Sequence, residues 1–185
     1  MLGNLTRLRR LRPAPALVLA FGLILSGCMA QLAPPYDDAL VKDLIRADEK
    51  ALVLFSAVAD GSEASEFPKF ASQYEQLIGK FGSLQNQAEA RPVPPLAARL
   101  SDQLSKYSVL KTICGEAEGD PGSCVNSSPS ALAQIVKNFT VMRSTHKTKG
   151  LPKDLVALFK NPYDISIHQA LTVETALKRG PPPAN

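Results

Sequence analysis

Apolar positions along this chain recur at threes, fours and sevens, and nowhere does a period-two alternation persist. That spacing predicts helices. The first run covers about 35–60, with Leu40, Leu44, Ala51, Phe55 and Val58 on one face and Val41, Ile45 and Leu52 widening the stripe. Gly61 follows as a stop. A second run, about 66–90, carries Phe67, Phe70, Tyr74, Leu77, Phe81 and Leu84 close to a heptad seam. A third is expected from about Pro95 to Ile113 through Leu96, Leu100, Leu104, Tyr107 and Leu110. A fourth runs from Ser128-Pro129 to about Thr145 through Leu132, Ile135, Val136, Phe139 and Met142. A short helix from Pro152 to Lys160 then leads to a last one, Pro162 to Lys178, with Ile167, Leu171 and Leu177 inward.

Prolines punctuate these runs. Pro35, Pro95, Pro129, Pro152 and Pro162 each stand at the head of one, where the missing N–H costs nothing. Asn161-Pro162-Tyr163-Asp164 reads as an N-cap with an acid at the third helical position. Arg91-Pro-Val-Pro-Pro95 cannot be helical and must connect two helices. The expected fold is all-α, an up-and-down bundle of four main helices plus a short extra helix. A composition without Trp, low in Gly and rich in Ala and Leu agrees with it.

The first 28 residues follow a different rule. Arg7, Arg9, Arg10 and Arg12 precede an apolar stretch from Ala14 to Leu25, and then comes Leu25-Ser26-Gly27-Cys28. A basic region, a short apolar region and small residues at the cleavage point make a secretory signal. The apolar stretch, with Pro15 near its start, falls short of the roughly 20 residues a membrane span needs. Leu25-Ser26-Gly27-Cys28 resembles the lipobox of bacterial lipoproteins. The resemblance covers this segment alone and implies cleavage before Cys28, diacylglycerol on its sulfur and acylation of the new terminus. Four parts are therefore expected: a cleaved signal peptide over 1–27, a lipidated terminus and short tether over 28–34, the bundle over 35–179, and a flexible Pro-rich tail over 180–185. Six residues lie between Cys28 and Pro35, so the bundle stands off its membrane by roughly 20–25 Å at most. Met29 follows the cysteine where the lipoprotein class commonly has Asp for inner-membrane retention, so a periplasm-facing outer-membrane site is expected.

Removing the signal changes the charge. Four of the 21 basic residues precede Cys28, and the remaining 17 balance the 17 acidic ones. The basicity of the precursor is thus no nucleic-acid footprint, and no nucleic-acid partner is expected. What remains is uneven. Eight acids fall between Asp37 and Glu66, and six bases fall between Lys137 and Lys160 against Asp154 alone. The simpler expectation sets these segments side by side in the fold. The sharper one turns the basic segment toward anionic headgroups.

With Cys28 assigned to lipid, Cys114 and Cys124 form an even pair in an oxidising compartment and are expected to close a disulfide loop. In the chain-entropy model a ring of that size contributes roughly 2.5–3 kcal/mol. The nine residues between the two sulfurs do not fit a redox C-x-x-C pair. Candidate chemistry beyond this is sparse. His146 and His168 have no ligand partner at helical spacing and are expected at the surface. Glu116, Glu118 and Asp120 alternate like calcium-loop ligands, but Pro121 and Ser127 stand where such a loop needs Gly and Glu. There is no G-x-S-x-G elbow and no Gly-rich phosphate loop. No metal, no cofactor and no enzymatic activity are expected.

Phe67, Phe70, Tyr74 and Phe81 concentrate four of the eleven aromatics on one helix. Core packing is the simpler account. An apolar groove at Phe70, Tyr74, Leu77 and Phe81, with Gly79 and Gly82 permitting a close helix approach or a kink, is the sharper one. The leading functional expectation is a membrane-anchored, non-enzymatic interaction or accessory module with an envelope protein partner. The alternative is a carrier for a lipid or other apolar ligand inside the bundle.

Overall fold

The computed structural model of the chain describes residues 33–97, 99 and 127–178. Among these residues there is no strand, only an isolated antiparallel bridge between Ser62 and Leu151. The described residues are all-α, as the periodicity predicts. Helix α1, Asp38–Ala57, starts where Asp37, in extended backbone, accepts the N–H groups of Ala39 and Leu40 at 2.9 and 3.0 Å. Pro35 therefore lies ahead of the cap and not at the first helical position. Asp38 in the first turn complements the helix dipole.

A 3₁₀ turn, Ala64–Glu66, leads into α2, Phe67–Glu89, and the Glu66 side chain returns to the Glu63 N–H at 3.3 Å. Helix α2 runs unbroken through Gly79 and Gly82, and a Cβ at either would meet nothing within 4 Å. Neither a close approach nor a kink accounts for these glycines. After the non-helical stretch from Arg91 to Pro94, the chain is helical again from Pro95. The rest of the expected third helix and the Cys114–Cys124 loop lie outside the described residues.

Helix α3, Ser128–Lys149, is four residues longer than its periodicity predicts and stops at Gly150, whose φ of 75° suits a residue without Cβ. A Cβ at Gly150 would lie 2.9 Å from the Ser62 carbonyl oxygen. Here the α1–α2 turn meets the turn that follows α3. Ser62 and Leu151 exchange N–H···O=C bonds at 2.9 and 2.7 Å, which fastens one pole of the bundle.

Helix α4, Lys153–Leu177, corrects an expectation: one continuous helix stands where two were predicted, and Pro162 lies inside it. Proline removes the donor to the carbonyl four residues back and crowds that turn. Three contacts hold the helix together there. Asn138 of α3 donates to the neighbouring Phe159 carbonyl at 2.8 Å, and Lys160 pairs with Asp164 at 2.6 Å across the proline. Val156, Tyr163, Ile167 and Ala170 keep one buried stripe on both sides of it.

Residue pairing fixes the topology. Asp43 meets Lys80, Tyr74 meets His146, Phe81 meets Phe139, and Phe55 meets Tyr163, while Lys178 lies over the Tyr36 ring. Rising numbers on one helix meet falling numbers on the next, so neighbours are antiparallel and close a ring α1–α2–α3–α4. Each helix gives one ring to the centre. Phe55, Phe81, Phe139 and Tyr163 have neighbouring centroids 5.2–6.2 Å apart, in the range where tilted and offset aromatic pairs attract. Val41 joins the core as its periodicity implies, whereas Ile45 and Leu52 stay 44 % and 43 % exposed.

Candidate functional site

Cys28, Cys114 and Cys124 lie outside the described residues, as do Glu116, Glu118 and Asp120. The four groove candidates are placed by α2. Tyr74, Leu77 and Phe81 have at most 2 % of their surface exposed and belong to the core, and Phe70 packs against that core half-buried. Core packing accounts for them; of the four, Leu77 alone reaches an open groove, the one between α1 and α2, and it is 2 % exposed there.

The fastened pole holds a polar chain that the periodicity did not show. His146, expected at the surface, has no exposed area and stands on the inner face of α3 against Phe67, Phe70 and Tyr74. The unpredicted last turn of α3 puts it there. Its Nδ1 lies 3.1 Å from the Tyr74 hydroxyl and its Nε2 3.1 Å from Ser62 Oγ. Ser62 Oγ in turn donates to Glu66 Oε2 at 3.2 Å, and Lys69 donates to Glu66 Oε1 at 2.9 Å.

These contacts assign every proton. Glu66, a carboxylate, only accepts, so the Ser62 proton points at it and the Ser62 lone pair takes a proton from Nε2. Nδ1 is then the acceptor for Tyr74, whose hydroxyl pKa burial pushes far up. Burial also holds His146 below the ordinary histidine pKa, against the opposing pull of the Glu63 backbone and the Glu66 carboxylate. Glu66 itself is lowered, by Lys69 first and then by the Glu63 and Ser62 hydrogen bonds. In this arrangement His146 donates toward Ser62 and cannot take its proton. The chain ties two turns to two helices; it is not an activated serine.

A second polar tie crosses α1 and α4, where buried Tyr163 donates to Asp48 at 2.5 Å. A third, Arg91 with Glu174, is bidentate at 2.7 and 2.5 Å, with side-chain exposures of 8 % and 0 %. His168 is exposed. Among the described residues no three His, Cys, Asp or Glu side chains converge as metal ligands would.

Open grooves face solvent between neighbouring helices. One, about 390 Å³, lies between α1 and α2 and is crossed by the Asp43–Lys80 pair at 2.6 Å. Another, about 340 Å³, lies between α3 and α4 along Val141, Phe159, Pro162 and Ile165, with Lys137 and Gln134 on its α3 side. Val141, Leu158 and Ile165 are 48 %, 66 % and 69 % exposed.

The acidic and basic segments do not lie side by side along their length. In the ring, α1 stands across from α3, and among the described residues the exposed Lys153–Asp60 pair, at 3.5 Å, is the one ion pair between the two segments. Helix α3 carries Lys137, Arg143, Lys147 and Lys149, all exposed, with no acidic residue. No ion pair engages any of the four among the described residues. Residues 37–89 hold ten acids and five bases; residues 128–178 hold seven bases and three acids. The bundle is therefore polarised, acidic on the α1–α2 layer and basic on the α3–α4 layer. No described helix is long and apolar enough to cross a membrane. No family model, curated protein or solved structure matches the chain.

Proposed function

We propose that the chain is a lipoprotein, anchored through Cys28 to the periplasmic face of the outer membrane, that acts as a non-enzymatic interaction or accessory module of the cell envelope. The observation that carries this reading is the run Leu25-Ser26-Gly27-Cys28 behind a basic and then apolar leader. The non-enzymatic part is supported by the polar pole, where the Ser62 hydroxyl is spent on Glu66 and His146 on Tyr74 and Ser62. A carrier of apolar ligands finds less support, because the aromatic side chains that would wall its cavity are packed against core neighbours, Phe81 on Phe139 and Tyr163, Tyr74 on Phe67 and His146, and Phe70 on His146. Met29 favours the outer membrane, and a Cys114–Cys124 disulfide closes the loop before α3 in this reading.

The test is Cys28→Ser in the full chain. Loss of metabolic palmitate labelling and release from the membrane fraction are expected; unchanged labelling or retention overturns the anchor. Non-reducing peptide mapping is expected to link Cys114 to Cys124, and free thiols on both reject the staple.

A further inference from the structure

We infer that the α3–α4 layer is a docking surface for anionic phospholipid, so that the anchored bundle lies on its side with α1 and α2 turned away from the membrane. The inference rests on the anchored reading for the nearness of a membrane, but on different residues and a different test.

Charge selects the layer. The α3–α4 segment has seven bases against three acids, and one of those acids, Glu174, is buried against Arg91. The opposite segment has twice as many acids as bases. An anionic surface attracts the first layer and repels the second, which gives the bundle one preferred orientation. Along α3 the four exposed bases are unpaired among the described residues, so binding them breaks no ion pair.

Apolar exposure selects lipid over a soluble polyanion. Both layers expose aliphatic side chains: Ile45, Leu52 and Val53 on α1, Val141, Leu158 and Ile165 on α3 and α4. On α1 they stand among charges of both signs, Asp48 and Glu49 with Lys42, Arg46 and Lys50. On the other layer Val141 and Ile165 line the 340 Å³ groove with Lys137 at its edge, and Leu158 is exposed on the same helix as Ile165. Lysines flanking exposed aliphatic side chains suit a headgroup–acyl boundary, where the apolar part is buried and the ammonium groups meet phosphate. A soluble polyanion would use the lysines and leave Leu158 and Ile165 idle.

The tether permits this pose. Two layers of helices, each about 10–12 Å across, are no thicker than the roughly 20–25 Å that the six residues between Cys28 and Pro35 can span.

The test uses the chain from residue 28 with Cys28→Ser, which keeps every described helix and removes the acyl anchor. Binding is measured by co-sedimentation with vesicles of phosphatidylcholine alone or with added phosphatidylglycerol, and with heparin as a soluble polyanion. Binding to the phosphatidylglycerol vesicles only, weakened by salt, is expected. Each lysine near an anionic surface is worth roughly a fivefold change in affinity. Lys137→Glu with Lys149→Glu is therefore expected to weaken binding by more than tenfold, about what two such contacts supply. Lys42→Glu with Lys50→Glu makes the same change of net charge on the other layer and is expected to do far less. Ile165→Asp, at an exposed position, is expected to weaken vesicle binding and leave any heparin binding unchanged. Circular dichroism checks that each variant folds, and Lys→Gln replaces any Lys→Glu pair that does not.

No binding to phosphatidylglycerol vesicles at low salt overturns the proposal. So do equal losses in the two charge pairs, heparin binding tighter than vesicle binding, or an Ile165→Asp variant that binds vesicles as well as the parent. Each result leaves palmitate labelling of Cys28 in the full chain unaffected, so failure here and failure of the anchor are separable.

Discussion

Replacing Tyr74 by Phe probes the polar pole with the smallest change available. The ring stays, and with it the stacking on Phe67 at 6.2 Å. What goes is the donor to His146 Nδ1, 3.1 Å away, on a histidine with no exposed surface. The bond itself contributes about 0.5–1.5 kcal/mol net, and a buried acceptor left without a donor costs about 1–3 kcal/mol. Relief of the buried hydroxyl's own desolvation offsets part of this, so a loss of about 1–3 kcal/mol is expected near neutral pH. Urea denaturation followed by far-ultraviolet circular dichroism measures it, with the slope against urea unchanged. The pH dependence supplies an independent check. His146 is held below its ordinary value by burial, so as pH falls the unfolded chain, titrating near 6.5, takes up the proton first. The stability contributed by neutral His146 is complete above about pH 6.5 and is lost as pH falls toward the folded pKa, at up to about 1.4 kcal/mol per pH unit. Asp38, Asp43 and Glu66 are lowered from ordinary carboxylate values, so their losses come at more acid pH. In His146→Gln the carboxamide can accept from Tyr74 and donate to Ser62, so the variant is expected to fold and to lose the slope between about pH 7 and 5. A Tyr74→Phe cost below about 0.5 kcal/mol, or a slope that survives in His146→Gln, refutes the proton assignment.

Removing one partner of the Arg91–Glu174 pair leaves a charge with 8 % exposure or less, so Arg91→Met or Glu174→Gln alone is expected to cost about 3–5 kcal/mol by chemical denaturation. The double variant is expected to cost less than the sum, and additive losses would deny the coupling. Gly79→Ala and Gly82→Ala each place a Cβ in open space on a continuous helix and are expected to raise stability by about 0.5–1 kcal/mol. Gly150→Ala meets the Ser62 carbonyl at 2.9 Å with φ at 75° and is expected to lower the thermal midpoint; a neutral result would place the clash wrongly. Pro162→Ala is expected to stabilise by about 1–3 kcal/mol. Asn138→Ala is expected to cost about 1 kcal/mol in the parent and less beside Pro162→Ala, a cycle whose zero coupling would separate Asn138 from the proline turn.

The stripes that built the core were legible because each helix buries one face, and Leu40, Leu44, Phe55, Phe81 and Phe139 all went where helical spacing sent them. What spacing along one helix does not contain is which helix becomes its neighbour. The acidic segment of α1 and the basic segment of α3 looked complementary in the chain, yet the ring sets them on opposite sides. That separation is what gives the bundle its two oppositely charged layers. His146 was misplaced for a related reason. A polar residue in a terminal turn reads as solvated until Tyr74, from a helix 72 residues earlier, supplies the partner that makes its burial affordable.

Pro162 shows how the balance is struck when local and tertiary preferences conflict. A proline inside a helix costs about 3 kcal/mol relative to Ala, and Asn161-Pro162 with Asp164 two residues on supplies a reasonable helix start, so local chemistry favours two helices. Two helices meeting there would turn the chain and could not hold Val156 and Tyr163, Ile167 and Ala170 on one stripe. Burying one large apolar side chain is worth about 1.5–3 kcal/mol, and Tyr163 alone brings a ring packed on Phe55, Phe81 and Phe139 together with its bond to Asp48. Tyr163 and Ile167 together exceed the proline cost, and the Asn138 bond to the Phe159 carbonyl lowers that cost further. Continuity of the buried stripe across the proline, visible as the spacing of seven, four and three from Val156 to Ala170, was the signal in the sequence that outweighed the capping motif.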